Sequence, residues 1–245
     1  MKKTLFIALF GALLLSNNAN AQILNKLKNT VEETVDEVTD GGANGLTEEE
    51  VGAGLKEALT KGIEKGVDQV SKPDGYFKDL AIKILLPEEA KQVESAVRNL
   101  GLDQLVDDAI ESLNRAAEDA ANGAKDIFIE AIKSMTIQDA MSILNGEDNA
   151  ATTFLERVTR DALVEKFKPI VKASLDKVGA TKYWNTLFTT YNKIPFVTKV
   201  NPDLVDYATN KAIDGLFVQI AKEEKAIRTD PLARVTDLLK KVFGN

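Results

Sequence analysis

The chain has no cysteine and no histidine among its 245 residues. Without cysteine there are no disulfides, so stability rests on packing alone. Thiol catalysis, Ser-His-Asp triads, haem on histidine and ordinary zinc sites all need one of the two missing residue types. Any metal site has to be built from oxygen ligands, which suits calcium or magnesium. Basic residues are also in deficit: 31 stand against 38 acidic ones, for a formal net charge of −7. That balance repels phosphate backbones and anionic lipid, and argues against nucleic acid as a partner. After residue 21 no apolar run reaches membrane-spanning length.

What is present begins with an address. Lys2 and Lys3 precede an apolar run from Leu5 to Leu15, and a polar patch ends in Ala19-Asn20-Ala21. This is the charged start, short apolar centre and A-x-A site of a secretory signal peptide. The run is too short to span a bilayer. The mature chain is therefore expected to start at Gln22 and to work outside the cytoplasm. Cleavage removes two positive charges, Lys2 and Lys3, and no acid, which takes the net charge from −7 to −9. No cysteine follows the cleavage site, so N-terminal lipid attachment is excluded and a soluble product is expected.

Residues 22–45 read as a leader. Leu24, Leu27, Val31, Val35 and Val38 recur at helical steps, and Asp40-Gly41-Gly42-Ala43-Asn44-Gly45 breaks the pattern. From residue 46 the chain reads as one compact all-α domain of about eight to ten helices. Thr47 and Glu50 form a capping box. The helix after them carries Leu55, Leu59, Ile63, Val67 and Val70 on one face, with Gly62 and Gly66 beside it. Glycine inside a helix costs about 1 kcal/mol relative to alanine, so two on the buried side predict close approach of a neighbour.

Ser71-Lys72-Pro73-Asp74-Gly75 reads as a tight turn. Tyr76 to Leu86 is a short apolar segment for which strand and helix both remain open. Pro87-Glu88-Glu89 opens a helix that Gly101 closes. Residues 103–134 keep three/four spacing throughout, with much alanine in the stripe. Thr136 and Asp139 start a helix ended by Gly146. A further helix runs from Ala150 to Phe167, where Pro169 is expected to break or kink it. Ala180 to Tyr191 supplies the next, carrying Trp184. Asn201-Pro202 is read as the start of a long helix to about residue 227, and Asp230-Pro231 as the start of a last one to Phe243. No segment shows sustained strand alternation.

Several short segments carry a resemblance. They are Gly54-Leu55-Lys56-Glu57-Ala58-Leu59 with Lys61-Gly62-Ile63, Asp74-Gly75-Tyr76 with Leu86-Pro87, and Asn114-Arg115-Ala116-Ala117-Glu118. Asp139-Ala140 follows with Ile143-Leu144 and Gly146, then Asp214-Gly215-Leu216-Phe217, Glu224, Ile227-Arg228, Asp230-Pro231 and Val242-Phe243-Gly244. Together they resemble the bacterial family of domain of unknown function 4197, over residues 46–245. The resemblance implies a helical protein exported to the Gram-negative envelope, and it implies no activity.

Three groups are candidates for a site. Asn114, Arg115 and Glu118 would form either a polar ligand pocket or a structural cluster at the edge of a buried stripe. Arg228 and Arg234 would form an anion clamp, or Arg228 would pair with Glu224 one turn before it at a helix corner. Tyr183, Trp184, Phe188 and Tyr191 would be core, or with Ile194-Pro195-Phe196 the wall of an apolar groove. Asp40–Glu50 and Asn145–Asn149 are acidic loops, but the first has Val51 where a calcium loop needs glutamate. Thr152 and Thr153 offer hydroxyls that no histidine can activate.

The expectation is a non-catalytic binding protein of the cell envelope. Its ligand is either apolar and lipid-like or an envelope protein, with no cofactor and no metal. The ligand-binding residues expected are Asn114, Arg115, Glu118, Tyr183, Trp184, Tyr191, Arg228 and Arg234. The alternative is a carboxylate-based hydrolase, divalent-cation-dependent or not, using Glu118 and Asp139.

Overall fold

The computed structural model describes residues 47–193, 195, 196, 199 and 203–230. From Glu48 they belong to one compact unit. Among the described residues the protein has eight α-helices and no strand. They are α1 (Glu48–Val70), α2 (Lys91–Asn99), α3 (Asp103–Ala121), α4 (Ala124–Ser134), α5 (Ile137–Leu144), α6 (Ala150–Lys177), α7 (Ala180–Tyr191) and α8 (Leu204–Thr229).

Helix α8 is the hub, packed on α1, α3 and α6. Its apolar residues are buried on several faces, among them Ala212, Ile213, Leu216, Phe217 and Ile220. The Phe217 ring meets Phe128 of α4 edge-on, with centroids 5.7 Å apart. Helix α6 buries Ala151, Leu155, Thr159, Leu163, Phe167, Val171 and Leu175, one residue every fourth. Each such step advances about 40° around the axis, so the stripe winds about 240° over its length. That winding lets one helix contact α3, α4, α5, α7 and α8 in turn.

The expected glycine approach is present. A Cβ on Gly62 would lie 3.2 Å from Ile227 Cδ1, and one on Gly66 would lie 3.5 Å from Glu223 Cγ, both on α8. Gly101 ends α2 at φ 77°, with Gly101 N donating to Arg98 O and Leu102 N to Val97 O. This is the Schellman arrangement that glycine favours. Thr136 and Asp139 make the expected capping box of α5.

Four boundaries differ from expectation. The periodic run over 103–134 is two helices, because the chain turns at Asn122-Gly123. A Cβ on Gly123 would meet Lys166 Cγ at 3.2 Å and Ala120 O at 3.3 Å, so glycine lets this corner pack against α6. Pro169 does not end α6, which continues to Lys177. The ring sits on the exposed side, where the carbonyl it frees can be hydrated. Pro87 starts a single 3-10 turn, Glu88–Ala90, before α2. Helix α8 is capped by Asp203, whose carboxylate accepts from Asp206 N. Asn201, Pro202 and the predicted helix beyond Pro231 lie outside the described residues, as does the leader.

Candidate functional site

The segment 71–87 forms neither strand nor helix. It is a strap of turns and extended chain that buries Tyr76, Ile82 and Ile84. Buried backbone without regular structure needs partners for its amides and carbonyls. Helix α3 supplies them. Asn114 Oδ1 accepts from Ile84 N at 2.8 Å, and Asn114 Nδ2 donates to Ile84 O at 2.8 Å. One side chain thus pairs with both backbone groups of one residue, as a neighbouring strand would. One turn on, Glu118 Oε1 accepts from Tyr76 N at 3.1 Å and Phe77 N at 3.2 Å.

Arg115 ties this face together. Its guanidinium donates to Glu118 Oε2 and Asp74 Oδ1, both at 2.8 Å, and to Glu111 Oε1 at 3.0 Å. Asp74 sits at φ 71°, a left-handed conformation that aspartate tolerates better than most residues. Lys78 and Arg115 beside it hold its carboxyl below the ordinary value of 3.8. Gly75 is obligatory there, since a Cβ would lie 2.6 Å from the carbonyl oxygens of Gln69 and Val70.

The strap also grips α8. The Tyr76 hydroxyl donates to Ala212 O at 2.6 Å, and burial pushes its pKa far above the ordinary range. A Cβ on Gly215 would stand 2.7 Å from Tyr76 Cε1. The glycine of Asp214-Gly215-Leu216-Phe217 is the space the tyrosine ring needs. Tyr207 Oη donates to Leu85 O, and Lys222 to Asp79.

A second buried cluster joins α5, α6 and α8. The Glu224 carboxylate accepts from Ala151 N at 3.0 Å, Thr152 N at 2.8 Å and Thr152 Oγ1 at 2.7 Å. A negative charge therefore caps the positive end of α6. Arg228 bonds Glu224 Oε1 at 2.8 Å and reaches Ile143 O at 2.9 Å, a positive charge at the carbonyl end of α5. The i,i+4 pair is as expected, but it is buried, with side chains 14% and 4% exposed. Arg234 lies outside the described residues.

A concavity lies apart from both clusters. It is an open groove of about 720 Å³ between α6, α7 and the start of α8. Val164, Glu165, Lys168, Pro169 and Lys172 form one wall, Thr181 and Asn185 another, and Asp203, Leu204 and Val205 the third. Trp184 is buried on the same helix as Thr181 and Asn185. The side chains of Tyr183 and Tyr191 are outside the described set.

Asp74-Gly75-Tyr76 and Asn114, Arg115 and Glu118 of the strap cluster are among the residues that carried the resemblance noted above. The sequence matches the family model described as Protein of unknown function (DUF4197) over residues 45–244. The chain belongs to that family. No curated protein and no solved structure matches it. Within this DUF4197 chain, Asn114, Arg115 and Glu118 come together, bonded to the strap. Glu224 and Arg228 form a separate group. Glu118 and Asp139 share no surroundings: one carboxylate lies under the strap, and the other caps Thr136. Sequence reasoning passed over Val164, Lys168, Lys172, Leu204 and Val205. The one available signal was Pro169, a proline on an exposed helix face.

Proposed function

We propose that this DUF4197 chain is an exported, non-catalytic binding protein of the cell envelope, with its ligand in the groove between α6, α7 and α8. The observation that carries the reading is the groove itself, about 720 Å³ with Val164, Leu204, Val205 and Pro169 in its walls. Volume and apolar walls with a few polar groups are the usual marks of a small-molecule site. The two polar clusters support the choice by contrast. Their donors and acceptors are engaged by the strap and by helix ends, which gives them a role in holding the fold. Export is read from the signal-peptide pattern of residues 1–21.

The chain carries a single tryptophan, Trp184, on the helix that forms one wall. Titration of residues 22–245 with dodecanol, followed by Trp184 emission and thermal melting, tests the reading. Saturable emission change with a rise in melting temperature is expected; a ligand at a hundred times its Kd adds about 2.7 kcal/mol of stability. If emission and melting stay flat for both dodecanol and dodecanoate, the groove is not a ligand site.

A further inference from the structure

We infer that the groove takes a single-chain amphiphile with an anionic head, held by Lys168 and Lys172. The inference rests on the groove being the ligand site proposed above. It adds the ligand's chemical class and its direction in the site.

The walls are polarised along α6. Val164 and Glu165 lie at one end and Lys172 at the other, about 12 Å apart along the axis at 1.5 Å per residue. Lys168 and Lys172 are one turn apart on the same face. They are the two cations among the described lining residues. Thr181, at the start of α7, marks the end where α6 turns into α7. The opposite end disfavours an anion. Glu165 carries a negative charge, and its carbonyl has no helical amide to accept from, because residue 169 is proline. Asp203 also lines the groove, but its carboxylate is held by Asp206 N as the α8 cap. A head with negative charge is therefore drawn toward Lys172, with its chain laid along Val164, Leu204 and Val205.

The two lysines are available for exchange. Lys168 contacts Asp206 at 3.3 Å and Lys172 contacts Asp176, and all four side chains are 39–61% exposed. Such solvated pairs contribute little and give way to a better partner. Each lysine also keeps further N–H donors, since an ammonium has three. Screening confines the charge of the rest of the chain to about 10 Å at 0.1 M salt, so the charges the head meets are the two lysines, the Asp176 and Asp206 carboxylates it displaces from them, and Glu165 and Asp203 in the walls.

Binding of dodecanoate and of dodecanol to residues 22–245 is compared by Trp184 emission at pH 8. Three chains are used: the native one, Lys168→Gln/Lys172→Gln, and the control Lys61→Gln/Lys225→Gln, which removes the same charge at the far end of α8, about 30 Å along the helix from Val205. The native chain and the control are expected to bind dodecanoate at least about tenfold tighter than dodecanol. The groove variant is expected to lose that preference while binding dodecanol unchanged. Equal binding of acid and alcohol by the native chain overturns the inference and leaves the groove reading standing. So does a preference for the acid that survives in the groove variant. Binding of neither compound overturns the groove reading itself. Unchanged circular dichroism and melting of the variants separate loss of binding from loss of fold.

Discussion

At the scale of single residues, polar side chains substitute for missing secondary structure. The strap has buried backbone but no ladder, and Asn114 and Glu118 complete its hydrogen bonding from α3. Replacing Glu118 by Gln removes the charge that Arg115 and two amides share. The Arg115 side chain is 36% exposed and keeps Asp74 and Glu111 as partners, so the loss is that of charge-assisted hydrogen bonds, about 2 kcal/mol, read as a drop in the urea midpoint. Tyr76→Phe deletes one buried hydrogen bond and keeps the ring, so about 1 kcal/mol is expected. A smaller loss for Glu118→Gln than for Tyr76→Phe would show that the carboxylate does not hold the strap.

The acid limb of stability belongs to the same scale. Asp74, Asp79, Asp139 and Asp176 are all held below the ordinary value of 3.8, by Lys78, Lys222, Thr136 and Lys172 respectively as the largest cause. A folded value below the unfolded one gives stability that is present above the unfolded pKa and lost as pH falls through the folded one. Melting temperature is therefore expected to decline from about pH 4 downward. In Asp74→Asn/Asp139→Asn the decline is expected to be shallower. An equally steep decline in that variant would assign the acid limb to other groups.

At the scale of elements, two glycines in helices have opposite meanings. Gly66 of α1 has room: a Cβ there would make ordinary contact, 3.5 Å from Glu223 Cγ. Gly66→Ala is expected to be neutral or to stabilise by up to about 1 kcal/mol, through helix propensity. Gly215 of α8 has none, because Tyr76 Cε1 would lie 2.7 Å away. Gly215→Ala is expected to destabilise by about 1–3 kcal/mol through overpacking, despite the same gain in propensity. Chemical denaturation of the two variants side by side checks the contrast. In Gly215→Ala/Tyr76→Ala the clash is relieved, so the two changes should not add.

At the scale of the whole molecule, one apolar cluster runs through the strap and through α1 and α3–α8. No disulfide divides or staples it. A single connected core predicts one cooperative transition. Trp184 emission and far-ultraviolet circular dichroism should therefore melt at the same temperature. Separate transitions would mean that α7, which carries Trp184, unfolds apart from the rest. The largest contributions to this cluster come from the long helices α1, α6 and α8, whose apolar spacing is plain in the chain.

Periodicity, caps and breakers by themselves determined the all-helical class, the stripe of α1, the capping box of α5 and the span of α7, while the resemblance of the short segments pointed to the family. They did so because helical spacing and end chemistry are local properties of neighbouring residues. The same local signals ran one helix through Gly123 and left Pro169 to break or kink its helix; the outcome at each depends on what lies beside the helix, Lys166 in one case and solvent in the other. Tertiary structure alone decided that Asn114, Arg115 and Glu118 meet Asp74–Ile84, since residues about 30–40 apart in sequence pair only once the helices pack. It decided likewise that Glu224 reaches the start of α6. The groove was least legible of all. A cavity is bounded by side chains from three elements, and no pattern along one element records the space left between them.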